Sequence, residues 1–204
     1  MSSTKILLPL LTLSFAITGC GGSGSGDPYK IGEDNYLALR GKLLSPRIFL
    51  DMNLSFTAGN QNFKIADSKF DGYVEGERSI ISFDASTYEK ETTQVQADTY
   101  YYDESDKVWY HESEKAALAS IYNHTSLYFL SALPSSYDQL SYNESKHKYS
   151  ATVNMEGELL AVELGFENGN LISYKVEADG TFLIDFYDYG KTVVNIPTEY
   201  QESN

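Results

Sequence analysis

Apolar and polar positions alternate with a period of two along most of the chain, the pattern of strands that bury one face. Ile48, Leu50, Met52, Leu54 and Phe56 fall on one side of such a run, and Phe49, Asp51, Asn53, Ser55 and Thr57 on the other. Gly59-Asn60 marks a turn, Phe63 and Ile65 open a return strand, and Asp71-Gly72 and Gly76 predict further turns. Ile81, Phe83 and Ala85 alternate again, as do Val95, Ala97, Thr99 and Tyr101, with Tyr100 and Tyr102 facing the other way. Positions 103–107 form a polar turn before a strand at 108–111. Beyond Tyr149 the alternation is interrupted only at Glu156-Gly157, Asn168-Gly169, Asp179-Gly180 and Tyr189-Gly190, which predicts a five-stranded antiparallel meander ending at Val194, Ile196 and Pro197. Asn-Gly and Asp-Gly favour hairpins because both residues accept positive φ. One face of this meander is apolar; the other carries Glu163, Ser173, Lys175, Asp185 and Asn195 and faces water. Positions 201–204 read as a frayed polar tail.

The period changes in three places. Over 33–44, Tyr36, Leu39 or Arg40, and Leu43 share a helical face that Pro46 terminates. Ser113 predicts an N-cap, with Glu114 in the first turn of a helix over 115–122. The stretch 127–133, ended by Pro134, is apolar on nearly every side, which predicts a buried helix. The sum is a mainly β (α+β) domain over 27–204, with about ten strands, two or three short helices and no fixed repeat.

The first residues have a different logic. Lys5 precedes an apolar run over 6–17, and Ile17-Thr18-Gly19-Cys20 closes it. This is the layout of a secretory signal peptide. The run is about a dozen residues, short of the roughly 20 needed to span a bilayer. An uncleaved anchor and an ordinary buried thiol are the alternatives, but the flanking glycines of Cys20 cannot build a core. The four residues ending at Cys20 resemble the lipobox of bacterial lipoproteins. The resemblance implies removal of 1–19, a diacylglycerol thioether on Cys20, acylation of its new amine, and extracytoplasmic attachment to a membrane of the bacterial cell envelope. Gly21 is not the aspartate linked to inner-membrane retention in enteric bacteria, so either membrane is open. Positions 20–26 are then the lipidated cysteine and a Gly/Ser tether, reaching on the order of 10–20 Å.

Composition narrows the possible partners. The 204-residue chain carries a net charge of −14, which lacks the basic footprint of a nucleic-acid binder and is repelled weakly by anionic headgroups. Cys20 is the only cysteine, so the fold stands without an internal disulfide. The 17 tyrosines and 10 phenylalanines suit strands.

Reactive patterns are sparse. His111, His124 and His147 lie in no zinc-type spacing, and no nucleophile elbow or phosphate loop occurs. Asp103, Glu104 and Asp106 resemble the start of a calcium loop, but the required glycine and final glutamate are missing. Glu75, Glu77, Asp84 and Glu89 read as exposed strand positions, without the paired spacing of a glycosidase. Asn53, Asn123 and Asn143 each begin a glycan-acceptor triplet without meaning behind a bacterial lipobox. Tyr100, Tyr101, Tyr102, Trp109 and Tyr110 offer a sugar-stacking surface, or, as the period suggests, Tyr101 and Tyr110 pack inward and the others opposite. No enzyme, metal or cofactor is expected.

The order of lipobox, short helix, strand meander, apolar helical insert and second meander is one carrier of a family resemblance. The closing phrase from Phe182 through Asp188-Tyr189-Gly190 to Pro197 is the other. Over roughly 27–197 the chain resembles the LolA/LolB and LppX/LprG-like lipoproteins. That implies a strongly curved antiparallel half-barrel, helices across its concave face, and an apolar cavity for acyl chains between them. Cys20 sets the chain apart from soluble LolA and implies an anchored acceptor, holder or sensor. A sheet with one apolar face must in any case be covered, and 127–133 is the cover. The expected cavity residues are Leu50, Met52, Leu54, Phe56, Phe83, Leu127, Leu130, Leu160, Val162, Leu164, Tyr174, Ile184 and Phe186. The expected ligand is a lipid or a lipoprotein acyl chain. The alternative is a non-enzymatic structural or interaction lipoprotein with a solid core.

Overall fold

A computed structural model describes residues 26–66, 69–74 and 77–203. The expected signal peptide, Cys20 and the expected tether up to Ser25 lie outside the described residues, as do Glu75 and Gly76, where a turn is expected from the sequence.

The strands are β1 (Leu54–Ala58), β2 (Gln61–Ile65), β3 (Lys69–Val74), β4 (Glu77–Glu89), β5 (Gln94–Asp103), β6 (Val108–Ala117), β7 (Ser141–Asn143), β8 (Lys148–Met155), β9 (Glu158–Glu167), β10 (Asn170–Glu177), β11 (Thr181–Tyr187) and β12 (Gln201–Glu202). They form one open sheet in the order β12-β6-β5-β4-β3-β2-β1-β11-β10-β9-β8-β7. All pairings are antiparallel except β12 with β6. The mainly β class read from the alternation is therefore what the chain forms. The two meanders join where β1 pairs with β11. Phe56 marks the seam: its ring lies 4.7 Å from Phe63 on β2, stacked, and 5.9 Å from Phe186 on β11.

The helical segments are α1 (Glu33–Leu43), α2 (Ile48–Asp51), α3 (Leu118–His124) and two 3₁₀ turns, Ser126–Ala132 and Tyr137–Gln139. They lie against one face of the sheet, and inward residues from β5 (Val95, Ala97) to β8 (Val153) share one core with them. Glu33 and Asp34 in the first turn of α1, and Arg40 and Lys42 in its last, complement the helix dipole.

Several expectations are corrected. Residues 48–51 of the alternating run form α2, not a strand, so Phe49 is as fully buried as Ile48. Gly72 sits inside β3, opposite Phe63 and Ser79, rather than in a turn. The segment 112–117 continues β6, because it pairs with β5 as far as Ala117 opposite Gln94, and α3 starts only at Leu118. Sheet pairing there overrides helix propensity. The 127–133 insert is a 3₁₀ turn begun by Thr125, whose hydroxyl accepts the Leu127 N–H, and it is two-sided. Leu127 and Leu130 are buried, while Tyr128 and Phe129 are exposed. The last meander has four strands. Residues 192–197 leave the sheet plane as an extended strap, and the supposed tail forms β12.

Candidate functional site

The residues expected to line a cavity do come together, on the helix-covered face. Leu54 and Phe56 from β1, Phe83 from β4, Leu127 and Leu130 from the 3₁₀ turn, Leu160, Val162 and Leu164 from β9, Tyr174 from β10, and Ile184 and Phe186 from β11 belong to one buried cluster. Leu50 and Met52 are half-buried against it. Leu54, Phe56, Leu127, Leu130, Leu164, Tyr174 and Ile184 have 0% exposure. Such residues offer no surface a water molecule could touch, whether from outside or from an internal void. The space between sheet and helices is filled by their own side chains at these positions, the close packing usual for protein interiors.

Tyrosine hydroxyls hold the cover in place. Tyr174 donates to the carbonyl of Phe129 at 3.0 Å, and Tyr36 of α1 to that of Pro134 at 2.6 Å. Tyr122 of α3 reaches the carbonyls of Leu43 and Leu127, both at 3.0 Å. Arg40 approaches the Leu133 carbonyl at 3.4 Å. Irregular backbone cannot pair its carbonyls along a ladder, so side chains from neighbouring elements satisfy them. Among the described residues no buried side-chain nitrogen or oxygen lacks a partner. Burial pushes the Tyr36 phenol up to about 12, and raises those of Tyr122 and Tyr174 further. These tyrosines were legible only as apolar positions; their acceptors lie 45 or more residues away in the case of Tyr174 and Tyr36.

At one end of the covered face an aromatic cluster meets solvent. Phe129 packs on Phe182 with ring centres 3.9 Å apart, and Tyr128 stands 5.8 Å from Phe129. Tyr128 is 38% and Phe129 36% exposed. The turns at 59–60, 156–157 and 178–180 share this end by strand register, and Ser126 bonds Gln61 there. The chain enters at the opposite end, where the Asn168 N–H bonds the Pro28 carbonyl.

A cleft of about 140 Å³ lies on the outer face, among Ser150, Ala161, Val162, Glu163, Lys175 and Glu177. Its charges are paired within the protein, Lys175 with Glu177 at 2.5 Å and Glu163 with Lys148 at 2.9 Å.

The polar motifs have structural work. Asp103 Oδ1 accepts the N–H groups of Ser105 at 2.7 Å and Asp106 at 3.1 Å, which closes the β5–β6 turn. The Ser105 hydroxyl and these amides hold the Asp103 carboxyl below its usual range. Asn143 closes the β7–β8 turn in the same way, and Asn53 accepts the Thr192 N–H at 2.9 Å. Tyr101 stacks on Tyr110 at 5.4 Å, while Tyr100 packs on the outer face with Trp109 against it. His111 is not a plain surface residue: its side chain is 12% exposed, with a carboxylate at each ring nitrogen. Among the described residues no group of three or more His, Cys, Asp or Glu side chains could hold a metal ion.

No protein-family model and no characterised protein matches the chain.

Proposed function

We propose that the chain is a lipid-anchored, non-enzymatic interaction protein of the bacterial cell envelope, working through its surface rather than through a resident apolar ligand. The observation that carries this reading is the filled concave face, with seven of the expected cavity residues at 0% exposure. Attachment at Cys20 is carried by the lipobox-like sequence. The aromatic cluster of Tyr128, Phe129 and Phe182 is the surface best suited to a partner, since exposed aromatic groups dominate interface energetics. It lies at the end of the sheet away from where the chain enters. A tether of on the order of 10–20 Å is shorter than strands of eight to ten residues, about 26–33 Å long. The cluster therefore points away from the anchoring bilayer.

A second reading, an anchored holder of a lipid or acyl chain, is favoured by the way the cover is fastened. Among the described residues, 118–133 join no strand ladder; besides the burial of Leu118, Leu127 and Leu130, hydroxyl–carbonyl bonds from Tyr122 to Leu43 and from Tyr174 to Phe129 tie them to the rest. Admission of an acyl chain would require them to swing away.

One experiment separates the two. Residues 27–204 are secreted to a bacterial periplasm, purified without detergent, and studied by native mass spectrometry and solvent extraction. An apo mass, and no binding of a fluorescent fatty-acid probe, is expected. Phospholipid or another acyl compound at defined stoichiometry would replace the first reading with the second.

A further inference from the structure

The last residues of the chain fold back over the face of the sheet that the helices leave open. Thr192 is buried, its hydroxyl 2.8 Å from that of Ser55. Val194 and Ile196 then pack with Ala66, Ile80, Tyr100 and Trp109 in a small cluster separate from the main core. Past Pro197 the chain reaches the sheet edge. There β12 pairs in parallel with Tyr110 and His111, and the Ser203 N–H bonds the His111 carbonyl at 2.9 Å. Two residues of parallel pairing are a weak attachment, so side chains decide whether this end stays docked.

His111 is the side chain at the centre. Its Nδ1 lies 2.9 Å from Glu202 Oε2 on β12, and its Nε2 lies 3.1 Å from Asp98 Oδ1 on β5. Its ring stacks on Tyr100 of β5 at 4.8 Å and meets Tyr200 of the strap at 4.9 Å. Across the joint, Tyr101 and Ser203 share a hydroxyl contact at 3.1 Å. Asp98, Glu202 and the two phenols of Tyr100 and Tyr200 are thus the titratable groups facing the imidazole from β5 and the strap. A neutral imidazole has one N–H to donate. It satisfies one carboxylate and presents a lone pair to the other. Only the imidazolium donates to both, with the added strength of charge-assisted bonds.

We propose that Tyr200–Ser203 is a pH-gated clip on the edge of the sheet, fastened to β5 and β6 by His111 as an imidazolium and released when that proton is lost. Partial burial pulls the His111 pKa down, but the hydrogen bonds and charges of Glu202 and Asp98 outweigh it and lift the group above its ordinary value. The docked clip therefore holds the proton more tightly than the free one. Its contribution is complete below about pH 6.5 and is lost as pH rises through the raised value. Release uncovers the β6 edge, where unpaired backbone groups invite another strand, and opens the outer side of Tyr100. Thr192 and Val194 stay docked through Ser55, Asn53 and the apolar cluster.

The test is hydrogen exchange of the full chain from pH 5.5 to 8.5, corrected for the intrinsic pH dependence of exchange, with the imidazole of His111 followed by NMR. Protection at 200–203 is expected to fall on the order of tenfold across the His111 titration, the factor carried by one hydrogen bond to a charged group. Protection of β8 to β11 should stay constant. E202Q, at an exposed position outside the core, should loosen the clip at pH 5.5 and abolish the pH dependence. Flat protection at 200–203, a His111 pKa at or below its ordinary value, or wild-type behaviour of E202Q would each overturn the proposal.

Discussion

Tyr174 spends its ring on the core and its hydroxyl on the carbonyl of Phe129. The two roles separate experimentally. Tyr174→Phe keeps the ring but removes the bond to a part-buried carbonyl, and should cost about 1 kcal/mol, the typical net worth of one hydrogen bond. Urea unfolding measures it; an unchanged midpoint would mean that water replaces the bond. The phenols also give an alkaline signature. Tyr36 holds its proton up to about 12 when folded, against about 10 in an unfolded chain. Above pH 10 the unfolded state sheds protons first, so stability is full below pH 10 and falls as pH rises toward 12. Tyr122 and Tyr174 act in the same direction. Spectrophotometric titration should show a group of tyrosines ionising only as the fold is lost.

Among the elements, the β1–β11 pairing decides whether there is one sheet or two hairpin systems. Phe56 sits at that seam between Phe63 and Phe186, with 0% exposure. Phe56→Ala should cost about 3–5 kcal/mol, the range for large core truncations, whereas Leu159→Ser, at a 73% exposed position on β9, should shift stability by less than about 0.5 kcal/mol. Thermal unfolding of the two variants makes the comparison, and equal losses would remove the seam from its central place. The strands of the second meander were readable because each turn carries its own chemistry. Asn168 and Gly169 both adopt positive φ, at 50° and 81°. Residues 112–117 were not readable, because Lys115, Ala116 and Ala117 favour a helix in isolation. Only their pairing with β5 makes them a strand.

For the whole molecule, the proposed anchorage at Cys20 and the packed core from Ile31 to Phe186 belong to separate stretches of the chain. Among the described residues no helix is long and apolar enough to cross a membrane; the attachment proposed above is through Cys20. Cys20→Ser should move the chain from the membrane to the soluble fraction of a bacterial host while leaving its circular dichroism unchanged. A variant that still pellets with membranes would point to another means of attachment. The acidic charge of −14 works against direct adsorption to anionic lipid.

The sequence by itself determined the period-two architecture, α1, the hairpins from β8 to β11 and which faces are apolar. These follow from local sterics and from the alternation of side chains across a pleat. An apolar stripe has to be covered, and its residues from Leu54 on β1 to Phe186 on β11 share one buried cluster, whereas Leu50 and Met52, read as part of the same strand, reach it from α2 and its end. Whether the covered face encloses a void or a packed core lay beyond the sequence. Packing depends on side chains such as Leu127, Tyr36 and Tyr174 meeting from segments far apart in the chain, and periodicity carries no volume. The same holds for the C-terminal strap. Val194 and Ile196 alternate as a strand would, yet they pack on Ile80 and Tyr100 across the outer face, out of the sheet. A lone histidine became a bridge between two carboxylates only when β5, β6 and β12 were brought side by side.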